Sequence, residues 1–398
     1  MPIIKSLLDT EFNKLTMAQA VLHTYPAVPV KYKFACLNKK LSFLDEVKQE
    51  IDHLCSLRFT EEEISYLSSI PFLKTDFLEY LRLFQHNRRY INVYSDKEGG
   101  IRIDIEGPWI STILYETPVL AIVSEIYSRQ QKNTDSDSHD PEQAMKTGEK
   151  ILSEKIDYLT ELLKTGQIPG FKFADIGTKY RYSLAWHTKV IETLKAKFRP
   201  HIFVGTSNIA LAKQFKVKPI GTMTHEWLQG HQQLGTRISD SQKAALESWA
   251  QEYRGELGIA LTDVVGFKAF LKDFDLYFAK LFDGCQHDSG DSVSWCVKLI
   301  EHYDKLGIDP LSKTAVFTDG IDFEKAVELH QTFRELINVA FGLKTYLTND
   351  VGIMPPEVVI EMVECNGQPV AKICDTENRS LCKDTEFINY LKKVYQIK

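Results

Sequence analysis

Five residues in the latter half of the chain have types and neighbours suited to chemistry. Asp263 ends "ALTD", Asp288 and Asp291 fall within "HDSGD", Asp319 sits in "FTDG", and His225 follows directly on "IGTMT". Each aspartate comes after a short apolar run and before a helix-like stretch. Taken singly, such an aspartate is as readily a helix cap as a functional group. Four of them together suit ribose hydroxyls, a Mg2+ ion bound to phosphate, or a cationic centre that a carboxylate stabilises as it develops. His225 is a candidate acid, base or nucleophile, and equally a histidine held by a hydrogen bond beside Trp227.

Gly-Thr recurs at comparable places, in "DIGTKYR" (175 to 181), "VGT" (204 to 206) and "IGT" (220 to 222). Glycine lets the backbone approach a ligand, threonine and serine offer hydroxyls, and each following helix offers unpaired N–H groups to an anion. "HEWLQGH" is not a zinc motif. That motif needs histidines four apart on one helix face, and His231 comes six residues after His225.

These positions are set by an alternation of short strands and amphipathic helices. The strand candidates are "FKFADIGT", "HIFVGT", "KPIGT", "GIALTD", the approach to "QHDSGD", "TAVFTDG" and "INVAFG". Helices are expected at "SQKAALESWAQEY", at "SVSWCVKLIEHYDKLG" capped by Ser292, and at "DFEKAVELHQTF" capped by Asp322. Strand alternating with helix implies parallel strands joined by crossovers. About seven strands over roughly 180 residues favour an α/β fold with an irregular (β/α) barrel, whose site is built by the loops after the strands. The expected barrel occupies residues 140 to 354.

A polar linker, "RQQKNTDSDSHDPEQ", precedes it. Asp140 and Pro141 read as the cap and first residue of a helix. Its stripe is Leu152, Ile156, Leu159 and Leu163, and it stops at Gly166. Residues 1 to 130 mix helix and strand, with a hairpin around Glu98-Gly99-Gly100. A second hairpin signal, Asn366-Gly367, lies near the other end. Residues 355 to 398 are therefore expected to join 1 to 130 in a second, mixed α/β domain.

The composition is ordinary for a globular chain: 398 residues, 43 % hydrophobic, 26 % charged. A net charge of −6 with dispersed basic residues gives no basis for nucleic-acid binding. No uncharged apolar stretch has membrane-spanning length, and charges interrupt the N-terminal apolar run where a signal peptide would be continuous. Seven cysteines without CxxC spacing point to reduced thiols and a cytoplasmic location.

"SLLDTEFNKLTM", "ILYETPVLAIVSEI", "VGTSNIALAKQFKVKPIGTMTHEW", "HDSGD" and "VECNGQPVAKICD" together resemble the nicotinate phosphoribosyltransferase family along the whole chain. The resemblance implies transfer of a phosphoribosyl group from phosphoribosyl pyrophosphate to nicotinate, giving nicotinate mononucleotide in NAD salvage. It implies ATP and Mg2+, with transient phosphorylation of His225, and Glu226 is a candidate to orient that imidazole. Asp288 and Asp319 would stabilise the oxocarbenium-like transition state. Substrate would be lined by Asn13, Lys14, Ile176, Thr178, Lys179 and Arg181 from the first two motifs. Ser207, Thr222, Asp263, Gln286, Gly342 and Thr345 would complete the lining. Ser207 stands where nicotinamide-using relatives carry aspartate, and a hydroxyl tolerates a carboxylate substrate. The resemblance further implies a homodimer, with the N-terminal segment entering the neighbour's pocket.

Several positions depart from the family pattern. Asn13 replaces a tyrosine, Ile176 an aromatic residue, Lys179 and Tyr180 two arginines, and Gln286 another arginine. Lys344 and Tyr346 replace a glycine and an arginine. Both ring faces for a pyridine and an arginine for its carboxylate are thereby missing, with Phe12, Lys179 and Tyr346 as possible substitutes. Besides the nicotinate enzyme, this leaves a transferase for nicotinamide or another neutral heterocycle, and a silent ligand-binding paralogue.

Overall fold

Two sheets organise the chain in the computed structural model, which describes residues 2–130, 141–373 and 380–397. The first part of the chain supplies β1 (Pro29–Cys36), β2 (Ile91–Ser95) and β3 (Ile101–Pro108). The middle supplies β4 (Phe173–Asp175), β5 (Phe203–Thr206), β6 (Ile259–Leu261), β7 (Gly284–His287), β8 (Thr314–Phe317) and β9 (Asn338–Leu343). The last part supplies β10 (Val358–Cys365) and β11 (Gln368–Pro369).

The first sheet is antiparallel in the order β11-β10-β1-β3-β2. Alternation in β1 buries Val30, Tyr32 and Phe34 on one face. Both expected hairpins are present. Asp96 Oδ1 accepts from the backbone N–H of Gly100 at 2.8 Å and of Glu98 at 3.0 Å. Asn366 and Gly367 both take positive φ, 52° and 71°, as a two-residue hairpin turn requires. Val30 pairs with Cys365, so the two ends of the chain share one sheet.

The second sheet is all parallel, in the order β5-β4-β9-β8-β7-β6. Its strands are short and buried; Phe173 meets Phe323 edge-on, and Phe317 stacks on Phe333 and on Phe341 of the next strand. The helix Ser241–Tyr253 matches expectation, and Asp322 caps Phe323–Phe333 by accepting from Lys325 N at 2.7 Å. Ser292 is instead the first residue of Ser292–Lys305. The cap is Asp291, whose carboxylate reaches Ser294 N at 2.7 Å. The proposed cap Asp140 lies outside the described residues. The helix Pro141–Lys164 buries Leu152, Ile156 and Leu159 as expected.

"KPIGT" is not a strand. Pro219 forms a single parallel bridge to Thr206, and a proline has no N–H with which to extend a ladder. The segment nevertheless touches both edges of the parallel sheet. Ile220 N donates to Thr206 O at 2.9 Å, and Thr222 Oγ1 to Ile259 O at 3.3 Å.

Buried apolar residues of both sheets form one continuous core. Trp109–Gln130 is long and apolar enough to cross a membrane by composition, but 89 % of its most apolar window is buried in that core.

Candidate active site

The C-terminal ends of the parallel strands, with the 219–225 segment, bring the predicted chemistry together. His225 opens the helix His225–Gly230, and its Nε2 lies 2.8 Å from Asp263 Oδ1. Asp263 follows β6, and its other oxygen accepts from Ser289 Oγ at 2.8 Å and lies 3.4 Å from Lys372 Nζ. Burial pushes the Asp263 carboxyl up, but His225 and Lys372 outweigh this and hold it below the usual carboxylate range. Asp288 follows β7. Its Oδ2 is 3.7 Å from His225 Nε2, and its Oδ1 is 2.6 Å from Lys344 Nζ and 2.7 Å from Thr318 Oγ1. Against the upward push of burial, Lys344 and His225 hold Asp288 down at about 2. Asp319, after β8, is half-buried and makes no hydrogen bond or ion pair among the described residues.

A second charged layer lies under the first. Lys14 is sealed from solvent between Glu116 and Glu226. Glu226 also accepts from Tyr32 Oη, and from Trp109 Nε1 at 2.6 Å. Lys179 Nζ stands 2.5 Å from Glu116 and 3.2 Å from Glu11. Burial lowers the Lys179 pKa, but these two carboxylates raise it well above the ordinary lysine value. Arg181 makes a two-pronged pair with Asp9 at 2.5 and 2.8 Å, and Asn208 Nδ2 donates to the same carboxylate at 2.7 Å.

The arrangement offers an imidazole oriented by one carboxylate and a second ionised carboxylate beside it. Glycine- and threonine-rich backbone surrounds both. This is equipment for nucleophilic or acid–base work next to an anionic, sugar-bearing substrate.

Two family descriptions match the chain. The nicotinate phosphoribosyltransferase (NAPRTase) family matches residues 171–398, and the N-terminal domain of that family matches 8–124. The chain belongs to the nicotinate phosphoribosyltransferase family. It is 47 % identical to a nicotinate phosphoribosyltransferase of Ectopseudomonas mendocina, covering 99 % of this chain and 97 % of that protein. It is 46 % identical to nicotinate phosphoribosyltransferase 2 of Pseudomonas aeruginosa, over 99 % of this chain and 98 % of that one. Among solved structures, nicotinate phosphoribosyltransferase from Vibrio cholerae superimposes with a TM-score of 0.92 at 39 % identity, covering 100 % of this chain and 94 % of its own. The enzyme from Porphyromonas gingivalis gives 0.90 at 27 % identity, covering 99 % and 100 %.

Several family-based expectations change in the structure. Glu226 does not orient His225, because Lys14, Tyr32 and Trp109 occupy it; Asp263 takes that role. Asp291 is a helix cap. The N-terminal segment also makes contacts within its own chain, beside the expected reach into a neighbouring subunit. Phe12 N donates to Ser207 O at 2.8 Å, Ile209 N to Thr10 O at 3.1 Å, and Thr16 Oγ1 to Thr222 O at 2.9 Å. Phe12 offers no ring face to a ligand, being fully buried against Phe72. Arg181 is likewise fully buried, so its charge is taken by Asp9 before any substrate arrives.

Other expected residues do meet. Thr178 and Ser207 hydroxyls are 3.3 Å apart, buried behind the N-terminal segment. Asn13 packs so tightly on Gly221, next to Thr222, that a Cβ on that glycine would stand 2.6 Å from Asn13 N. Ile176 covers Gly342, where a Cβ would meet its Cδ1 at 2.6 Å. Gln286 Nε2 donates to Thr318 Oγ1 at 3.2 Å. Thr345 begins a short turn of helix, Thr345–Thr348, beside the exposed Tyr346.

Glu116, Lys344, Lys372, Ser289 and Thr318 were missed as site residues. The first, third, fourth and fifth lie inside the quoted motifs, where no spacing sets them apart, and Lys344 shows as a cation where the pattern has glycine.

Proposed function

We propose that this chain transfers the phosphoribosyl group of phosphoribosyl pyrophosphate to nicotinate, coupled to ATP through phosphorylation of His225. The carrying observation is the His225–Asp263 pair with ionised Asp288 beside it, at the C-terminal ends of parallel strands. Asp263 holds Nε2, which leaves Nδ1 as the nitrogen that takes a phosphoryl group. As pyrophosphate leaves, positive charge grows at the anomeric carbon, and the Asp288 carboxylate supplies the opposing charge.

Mg2+ would arrive with the phosphates and neutralise their charge, and Asp319, without a partner among the described residues, fits as the carboxylate that holds it. The contacts of residues 219 to 222 with both edge strands support reading the parallel sheet as an irregular barrel over 140 to 354. The pairing of β1 with β10 supports a second domain from 1 to 130 and 355 to 398. A cytoplasmic homodimer acting in NAD salvage completes the reading.

The test is product formation from phosphoribosyl pyrophosphate with nicotinate or nicotinamide, with and without ATP. ATP-stimulated nicotinate mononucleotide formation is the expected result. Turnover of nicotinamide alone, or of neither base, overturns the reading.

A further inference from the structure

Among the described residues, five cations lie near the mouth, each beside a carboxylate, and they differ in how open they are. The side chains of Lys14 and Arg181 are 0 % exposed, and that of Lys179, held between two carboxylates, is 13 % exposed. Lys372, at 20 %, lies beside Asp263. Lys344 is the most open, at 29 %, and pairs with one oxygen of Asp288. It follows directly on β9, where Ile176 N donates to Leu343 O at 2.9 Å and the side chains of Ile176 and Thr318 both close on Gly342. An apolar side chain and a partly exposed ammonium group thus stand on adjoining strand ends. They lie at the Asp288 oxygen opposite the one that faces His225.

We propose that Lys344 is the residue that recognises the carboxylate of the base. This rests on the nicotinate reading above. The ring lies against Ile176, its carboxylate draws the Lys344 ammonium partly from Asp288, and the released Asp288 charge faces the anomeric carbon. Thr318 accepts from Gln286 and shares its one hydroxyl proton between Asp288 Oδ1 and His287 O, which keeps a donor beside Asp288 as Lys344 moves. The apolar neighbours select a flat ring bearing one negative charge over a polyphosphate, which would need several N–H donors.

The experiment compares wild type with Lys344→Met and Lys344→Arg, after thermal melting has confirmed that each folds. KM is measured for nicotinate and for phosphoribosyl pyrophosphate, and the binding of nicotinamide is measured as a neutral probe. Lys344→Met should raise the nicotinate KM tenfold or more, and leave phosphoribosyl pyrophosphate and nicotinamide within about twofold. Lys344→Arg should recover most of the loss. Effects passed through Asp288 act on both bases, so they cancel in the nicotinate-to-nicotinamide ratio. An unchanged ratio overturns the proposal, and so does a rise confined to phosphoribosyl pyrophosphate. Failure of wild type to use nicotinate overturns the underlying reading instead.

Discussion

Asp263 Oδ1, 38 residues along the chain from His225, lies 2.8 Å from its Nε2, and this pair fixes the imidazole. On the proposed reading, Nδ1 is then the nucleophilic nitrogen. Incubation with ATP and Mg2+ should give an acid-labile phosphoryl adduct on Nδ1, identifiable by phosphorus NMR. His225→Ala should abolish it, and Asp263→Asn should slow its formation tenfold or more. Glu226→Gln acts elsewhere, on the Lys14 cluster, and should lower thermal stability before it alters the adduct.

Glu116 gives the clearest pH dependence. Burial raises its pKa, but Lys14 and Lys179 outweigh burial and hold it at about 2 against an ordinary value of 4.5. A depressed folded pKa contributes stability above the unfolded value, and this is lost as pH falls toward the folded one. Wild type should therefore exceed Glu116→Gln in unfolding free energy at neutral pH by a difference on the order of 3 kcal/mol, and melt higher. The gap should close between about pH 4.5 and about pH 2, which thermal melts across that range will show.

Much of the fold was legible because periodicity and turn chemistry are local properties. The Asn366-Gly367 turn, the Asp322 cap and six of the seven strand candidates lie where residue types place them. Misreadings came where a local cue had two outcomes. Asp291 satisfied a helix end instead of a ligand, and Pro219 cut short an otherwise strand-like run. The site was legible in its residue types but not in its pairings. Lys14 with Glu226 and Arg181 with Asp9 join residues 212 and 172 apart, and no spacing rule connects them. Phe12 looked like a substitute ring because burial depends on Phe72, far along the chain.

Arg181 tests the difference between a binding cation and a structural one. Its guanidinium is fully buried on Asp9, with Asn208 on the same carboxylate. Removing one partner of such a pair costs about 3–5 kcal/mol. Arg181→Met should show that loss in denaturant unfolding. The nicotinate KM of the residual folded enzyme should stay within about twofold of wild type.

Lys14 and His225–Glu226 meet within one chain. Mixing the inactive variants Lys14→Ala and His225→Ala should therefore restore no activity, even where sedimentation shows that hybrid dimers form. Recovery of activity in the mixture would mean that the N-terminal segment exchanges between subunits.

Positions 286 and 344 lie on one hydrogen-bonded path. Gln286 Nε2 is 3.2 Å from Thr318 Oγ1, Thr318 Oγ1 is 2.7 Å from Asp288 Oδ1, and Lys344 Nζ is 2.6 Å from that same oxygen. An arginine at 286 is longer than glutamine and carries its charge toward the space that Lys344 fills. With Lys344 present, Gln286→Arg places two cations around one carboxylate and should change the nicotinate KM by less than threefold. With Lys344→Met, the same arginine supplies the missing charge and should recover at least half of the lost nicotinate affinity on a logarithmic scale. The two substitutions touch one network, so their effects should be strongly non-additive. A double-mutant cycle on nicotinate KM, repeated with Thr318→Val to break the path, measures this coupling. Additive effects would place the two charges in separate subsites and would remove the case for Lys344 as the partner of the base carboxylate.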